Sequence, residues 1–278
     1  MTFERFAGRF TVEGRLRALS ALHVGAPGGA QAVATDRPVA RDALGQPFIP
    51  GGTLKGALRA EVERLVRAVR PARACNPVGS AAERCAPAAV ARAGAGADGG
   101  NSEGASDGSV APAETCWVCR LFGAPWLASR VQVADLAVEP ATWLGRLPVR
   151  EGIAVDRDTD TARRAMGYDY EVVPARTEFR CLVRAETADP RLLGMLALGL
   201  RELEAGRLGL GGGRSRGLGR VQLVVEGRTL VGADADSLLA YLAGPEGAGT
   251  TVDDAVVRDW VAAFLECLRA DSLPEEAG

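Results

Sequence analysis

Apolar positions alternate with polar ones or glycine from the first residues onward. Phe10, Val12, Leu16 and Ala18 share one side, which predicts a half-buried first strand. After a glycine-rich stretch, Ala21 to Ala34, the period changes. Leu54, Leu58, Val62, Leu65 and Val66 recur at helical spacing and predict a helix from about Thr53, its hydroxyl serving as N-cap, to Val69; Pro71 ends it. Alternation returns over Val131 to Val138 and Glu178 to Ala185, predicting strands. Pro190 opens a second helix, Arg191 to Glu204, rich in Leu and Met. The glycine-rich LGLGGGRSRGLGR runs into a strand at Gly219 to Val225. A last helix, about Asp254 to Leu268, gathers Val257, Trp260, Val261, Phe264 and Leu265 on one face. Strand, helix, strand, strand, helix, strand is the order of a ferredoxin-like α+β sheet with helices on one face.

Two segments interrupt this pattern. Gly79 to Ala113 is almost entirely Ala, Gly, Ser, Pro and acidic residues. Such a composition buries too little apolar surface to fold alone, so a mobile insertion is expected. Arg150 to Arg176 is polar and charged around a DRDTDTA centre with extended flanks, and reads as a protruding hairpin or a solvated loop.

An apolar share of 47% over 278 residues is ample for a core, and the net charge of −2 gives the whole molecule no attraction for nucleic acid. Binding of that kind would need local patches. Lys55 is the only lysine. The arginine excess either suits phosphate contacts or reflects genomic base composition. No window approaches the roughly 18 apolar residues of a membrane span, and MTFERFAGRF lacks the layout of a signal peptide. A cytoplasmic protein with no membrane partner is expected, its six cysteines being thiols or metal ligands rather than disulfides.

Cys75, Cys85, Cys116 and Cys119 form C-x9-C…C-x2-C around the insertion. The CWVC spacing puts two thiolates on one tetrahedral ion, and the outer pair would let structural zinc pin the ends of the insert together. A redox CxxC or unliganded thiols are the alternatives. Cys181 and Cys267 read as packing residues. His23, the only histidine, excludes His-rich metal sites and is either an idle loop residue or an RNA contact.

Thr35 to Arg59 holds Asp36, Asp42, a Pro50-Gly51-Gly52 hinge, and Lys55 and Arg59 four residues apart on one helix face. It is either a plain strand-turn-helix joint or an anion site at a helix start. Its aspartates either cap their own turn or place a divalent ion on a phosphodiester. Gly212, Arg214, Ser215, Arg216 and Arg220 would make a phosphate cradle, although neither a Walker A loop nor a dinucleotide fingerprint is present. Arg157, Arg163 and Arg164 line the hairpin region, where Met166, Tyr168 and Tyr170 could wedge against bases.

The succession HVG, TDRPVARDALGQPFIPGGTLKGALR, CWVCRLFG, ASRVQVAD, IAVDRDTDTA, EVVPARTEF and LGLGGGRSRGLGRV resembles the RAMP superfamily of CRISPR proteins over about residues 8–225. Within it, the chain is similar to the repeated backbone subunit of type III effector complexes of the Csm and Cmr kind. The resemblance implies a ferredoxin-like, modified RRM palm in 1–72 and 121–230, with a thumb hairpin at about 146–177. It further implies a zinc-binding insertion at 73–120 held by the four cysteines; the stretch 231–278, outside the resemblance, reads as a C-terminal helical appendage. Asp36 would cut target RNA with Mg2+ or another divalent ion, through the 2′-hydroxyl. His23, Lys55, Arg59, Arg157, Arg163, Arg164, Gly212, Arg214, Ser215, Arg216 and Arg220 would hold RNA. The implied partners are a CRISPR guide RNA, single-stranded target RNA, further copies or related RAMP subunits, and a large Cas subunit. A subunit that only binds or caps the guide, with Asp36 inert, is the alternative. A stand-alone zinc enzyme is disfavoured by the single histidine.

Overall fold

The computed structural model describes residues 5–25, 35–80, 83–85, 115–155, 162–244 and 249–272, with the backbone alone at 153–155 and 162–166. Strand β1 (Arg9–Ala18) buries Phe10, Val12, Leu16 and Ala18 on one side, as their alternation requires. A short β2 (Phe48–Ile49) leads into helix α1 (Gly51–Val69), whose Leu54, Leu58, Val62 and Val66 are fully buried. The helix starts two residues before Thr53, and Pro50 rather than Thr53 occupies the N-cap. The reason is tertiary. The Gly51 N–H donates to Asp135 Oδ1 at 2.7 Å, so a distant carboxylate meets the first free donor. A Cβ at Gly51 would sit 2.1 Å from Val133 O, so only glycine lets the helix start there.

A single 3-10 turn (Pro71–Arg73) follows, then helix α2 (Trp117–Phe122). The expected strand over 131–138 divides into β3 (Val131–Val133) and β4 (Leu136–Ala137), which join different sheets. β5 (Val149–Val155) and β6 (Ala162–Glu171) form an antiparallel hairpin that places Arg150 opposite Tyr170 and Gly152 opposite Tyr168. Next come β7 (Glu178–Ala185) and helix α3 (Pro190–Glu204), capped by Asp189, which accepts from the Arg191 N–H at 2.8 Å. The chain then forms β8 (Val221–Val231), helix α4 (Ala235–Ala243), β9 (Thr250–Thr251) and helix α5 (Asp254–Ala270).

The main sheet runs β3-β7-β1-β8-β9 with every neighbour antiparallel. This is a mixed α+β fold with five α-helices among the described residues. One sheet face packs on α1 and α3. The other carries arginines paired to glutamates: Arg15 with Glu226 and Glu178, Arg17 with Glu178, and Arg180 with Glu139. α5 is no loose appendage. It lies along α3 and adds Val257, Trp260, Val261, Phe264 and Leu268 to the main core, with Trp260 edge-on to Phe10 at 5.1 Å. No helix among the described residues is long and apolar enough to cross a membrane. The hairpin tip, with Arg157, and the expected insertion at 86–114 lie outside the described residues, as do the side chains of Arg163 and Arg164.

The α3–α5 crossing is set by Gly194, where a Cβ would meet Trp260 O at 2.0 Å. Gly194→Ala is expected to destabilise the fold by about 1–3 kcal/mol through forced separation of the two helices. A thermal melt with the midpoint of the parent chain would contradict that crossing.

Candidate functional site

Three segments far apart in sequence meet at the root of the β5–β6 hairpin. The Asp36 loop is stitched to β6 by its main chain: Arg37 N–H donates to Asp169 O at 3.1 Å, and Glu171 N–H to Arg37 O at 3.0 Å. The Asp169 N–H also donates to Asp36 Oδ2 at 3.1 Å, which orients an otherwise exposed carboxylate. Beneath it lies Glu171, only 4% exposed. A buried carboxylate needs donors and a counter-charge. Glu171 takes the Val39 N–H at 3.0 Å and the Arg41 guanidinium at 2.6 Å, fastening residues 36–41 to the hairpin. Asp42 caps its own turn, accepting from the N–H groups of Leu44 and Gln46.

His23 adds the third segment. Its Nδ1–H donates to Glu171 O at 2.7 Å, which fixes the tautomer, and its ring meets Tyr170 edge-on at 5.9 Å. The His23 carbonyl accepts the Gly212 N–H at 2.9 Å, so that donor is spent inside the protein rather than offered to an anion. Gly211 is required beside it, since its φ is +73° and a Cβ would lie 2.1 Å from the same oxygen. Tyr168 stacks on Tyr170, with ring centroids 5.9 Å apart. The guanidinium of Arg37 lies 4.9 Å from the Tyr168 ring centre and that of Arg216 lies 5.7 Å from it; Arg216 also donates to the Tyr168 hydroxyl.

His23, Asp36, Gly212 and Arg216 are therefore brought together, with Arg37, Tyr168 and Tyr170 between them. Arg214, Ser215 and Arg220 are exposed on the same glycine loop. Among the described residues no carboxylate pairs with Arg37, Arg214, Arg216 or Arg220, whereas Arg15, Arg17 and Arg180 on the open sheet face all have glutamate partners. Unpaired cations interleaved with tyrosines suit a phosphate chain and its bases. Sequence reading missed Glu171, because nothing in EVVP marks a lone glutamate as buried.

The second assembly is the cysteine cluster. Cys75 leaves the 3-10 turn after α1, and Cys116 and Cys119 sit one helical turn apart at the start of α2. With Cys85, their four sulfurs all lie within 4.8 Å of one another, Cys75 and Cys119 at 3.4 Å. Four thiolates at Zn–S distances of about 2.3 Å would stand about 3.8 Å apart, so the set fits a tetrahedral ion with little adjustment. The Cys75 N–H points at Cys116 Sγ at 3.5 Å. Hydrogen bonds from the Cys119 and Cys85 thiols hold Cys116 well below the usual thiol value, and the bond to Cys116 pushes Cys85 up. The cluster could hold a metal ion. Cys181, by contrast, is pushed up to about 12 by burial and only packs the sheet.

Lys55 and Arg59, expected as a pair, both line one cleft but differ in what their charged groups meet. Lys55 lines a cleft of about 500 Å3 between Gly52 and Gly56 on one wall and the segment Phe122–Ser129 on the other. Burial, and then the neighbouring Arg59 charge, hold its ammonium below the usual lysine value. Lys55 has no hydrogen-bond or ion-pair partner among the described residues. Arg59 instead donates to Glu63 at 2.8 Å, Gly123 O at 2.7 Å and Cys119 Sγ at 3.2 Å.

The cysteine geometry makes a direct expectation. Elemental analysis of the freshly purified chain should find one metal ion per molecule, and Cys119→Ser should lose it together with thermal stability. Metal-free parent protein would remove the cluster from consideration as a metal centre.

No curated protein matches the chain. The family model described as the RAMP superfamily matches residues 15–222, more than half of the chain. That span runs from β1 into β8 and takes in the Asp36 loop, the cysteines, the hairpin and the glycine loop. The chain belongs to the RAMP superfamily, and the family makes it a CRISPR-associated RNA-binding protein.

Proposed function

We propose that the chain is a backbone-type subunit of a type III RNA-guided effector complex that grips a guide RNA and cuts the paired target RNA at Asp36. One observation carries this reading: Asp36, the hairpin root and the 211–220 loop converge through His23, Glu171 and Tyr168 into one cationic, aromatic surface with a carboxylate at its rim. The strand order β3-β7-β1-β8, with α1 and α3 as the crossings, supports a ferredoxin-like palm, and β5–β6 is its thumb. The open sheet face, where an RRM would stack bases, has its arginines neutralised by glutamates. The RNA surface is therefore the loop edge.

Arg214, Arg216 and Arg220 meet phosphates, and Tyr168 and Tyr170 offer ring faces to bases splayed at the hairpin root. Asp36 is oriented by the Asp169 N–H and exposed at the rim of this surface, which supports its role as the cutter. Its single exposed carboxylate fits Mg2+, which is commonly held by one or two carboxylates together with substrate phosphates and water. Asp36 would hold such an ion, which would supply neutralisation of the charge that grows on the phosphodiester as the 2′-oxygen bonds to phosphorus and the 5′-oxygen leaves. The four cysteines hold zinc in a closed, purely structural site, with no position left for substrate.

Gly52 and Gly56 add a second grip. Both face open space, and a Cβ at either would touch nothing. Glycine inside a helix costs about 1 kcal/mol relative to alanine, and the protein's own packing gives no return for it. Close approach of an RNA backbone beside Lys55 does.

Asp36→Ala in a reconstituted complex is expected to abolish divalent-ion-dependent cleavage of guide-complementary RNA while assembly and binding persist. Undiminished cutting would refute the assignment and leave a guide-holding or capping subunit. Gly56→Ala should raise stability by about 0.5–1 kcal/mol yet weaken RNA binding. Lys55→Ala should lower the slope of log affinity against log salt by about 1. Unchanged affinities for both variants would exclude the cleft as an RNA contact.

A further inference from the structure

Arg59, Glu63 and Arg67 form a stripe at four-residue spacing along α1. The two ends of this stripe hold the two halves of the cysteine cluster. Arg59 binds the Cys116–Cys119 half through Cys119 Sγ and through Gly123 O, the carbonyl just beyond α2. Arg67 binds the Cys75 half through Ala74 O at 3.2 Å and Cys75 O at 3.1 Å. Glu63 stands between them, 2.8 Å from Arg59 and 3.8 Å from Arg67, and keeps both guanidinium groups in line. The Arg59 side chain is 19% exposed, with contacts made by Nε and both terminal nitrogens. Little of it is left for an outside ligand. Lys55, one turn earlier, has no partner among the described residues.

We infer that Arg59, with Glu63 and Arg67, is a positioning residue of the metal site rather than a direct RNA contact. This rests on the reading of the cluster as a metal centre. Four thiolates around one divalent ion carry a net negative charge, and a guanidinium that donates to one of the sulfurs stabilises it from outside the ligand set. The planar fork of arginine reaches a sulfur and a carbonyl at once, which a lysine ammonium does with less geometric constraint. The consequence reaches the cleft. Its far wall, Phe122–Ser129, continues directly from Cys119, so an ion in the cluster locks that wall against the Lys55 face of α1. Metal occupancy thereby shapes the groove that Lys55 lines.

The test follows metal release from the full chain to an excess of a chromophoric chelator. Arg59→Ala should release metal roughly 10–100-fold faster than the parent, and Arg59→Lys should fall between the two. Arg64→Ala, whose arginine pairs with the adjacent Glu61, should release at the parent rate. In metal-saturated buffer Arg59→Ala should bind a single-stranded RNA oligonucleotide with an unchanged salt slope, in contrast to Lys55→Ala. Release from Arg59→Ala at the parent rate would overturn the positioning role. So would retained metal with a salt slope lowered as much as in Lys55→Ala, which would make Arg59 an RNA ligand. Should Arg59→Ala not fold, Glu63→Gln and Arg59→Lys give the same readouts. A parent chain that carries no metal would bring down the cluster reading itself, and the positioning role with it. A metal-bearing parent beside an unmoved Arg59→Ala would overturn the positioning role alone.

Discussion

A carboxylate buried as deeply as Glu171 must be met by donors and a positive charge, and the groups that meet it assemble the site. Its side chain draws in Val39 and Arg41, and its main-chain oxygen takes His23. Through these contacts the Asp36 loop, the hairpin root and the stretch that carries the glycine loop become one body. Removing Glu171 would leave Arg41 without its partner and Val39 N–H buried without an acceptor, a larger loss than a single hydrogen bond. The exposed groups, Asp36 and Arg216, do not hold the site together. They are displayed by it.

Helix α1 is the other organising element, and it serves three neighbours. Leu54, Leu58, Val62 and Val66 face the core. Arg59, Glu63 and Arg67 face the cysteines, and Gly52, Lys55 and Gly56 face the cleft. The cysteine cluster, the cleft and the palm therefore share a single rigid rod. Trp117 extends this continuity. It lies in the main core, edge-on to Phe264 of α5 at 6.1 Å, so the cluster is attached to the body of the protein and not carried on a tether.

Where apolar periodicity was strong, the elements were legible. β1, the body of α1, α3 and α5 each follow their spacing of buried residues, because burying one face dictates the repeat. Their ends were less so. Thr53 looks like a cap in the local chain, but Asp135, 84 positions away, caps the helix instead, with Gly51 accommodated against a strand. The six-residue α2 is too short for a period to register, and the alternation over 131–138 does not mark where β3 gives way to β4. The CWVC spacing was legible for a different reason, since two cysteines one helical turn apart can reach the same ion.

The sequence by itself determined the alternation and the helical repeats, the supply of thiols, and the glycines and arginines of the 211–220 loop. These are local matters of backbone and side-chain chemistry. Only the tertiary structure decided which charges are spent and which remain available. Arg59 and Lys55 are neighbours on one helix face and equal as sequence, yet one is consumed by a thiol, a carbonyl and a glutamate while the other has no partner among the described residues. Asp36 and Glu171 are both acids in polar stretches, yet one lies exposed at the rim and the other is buried beneath it. Burial and partnership depend largely on residues 60 or more positions apart meeting in space, and no local pattern encodes that meeting.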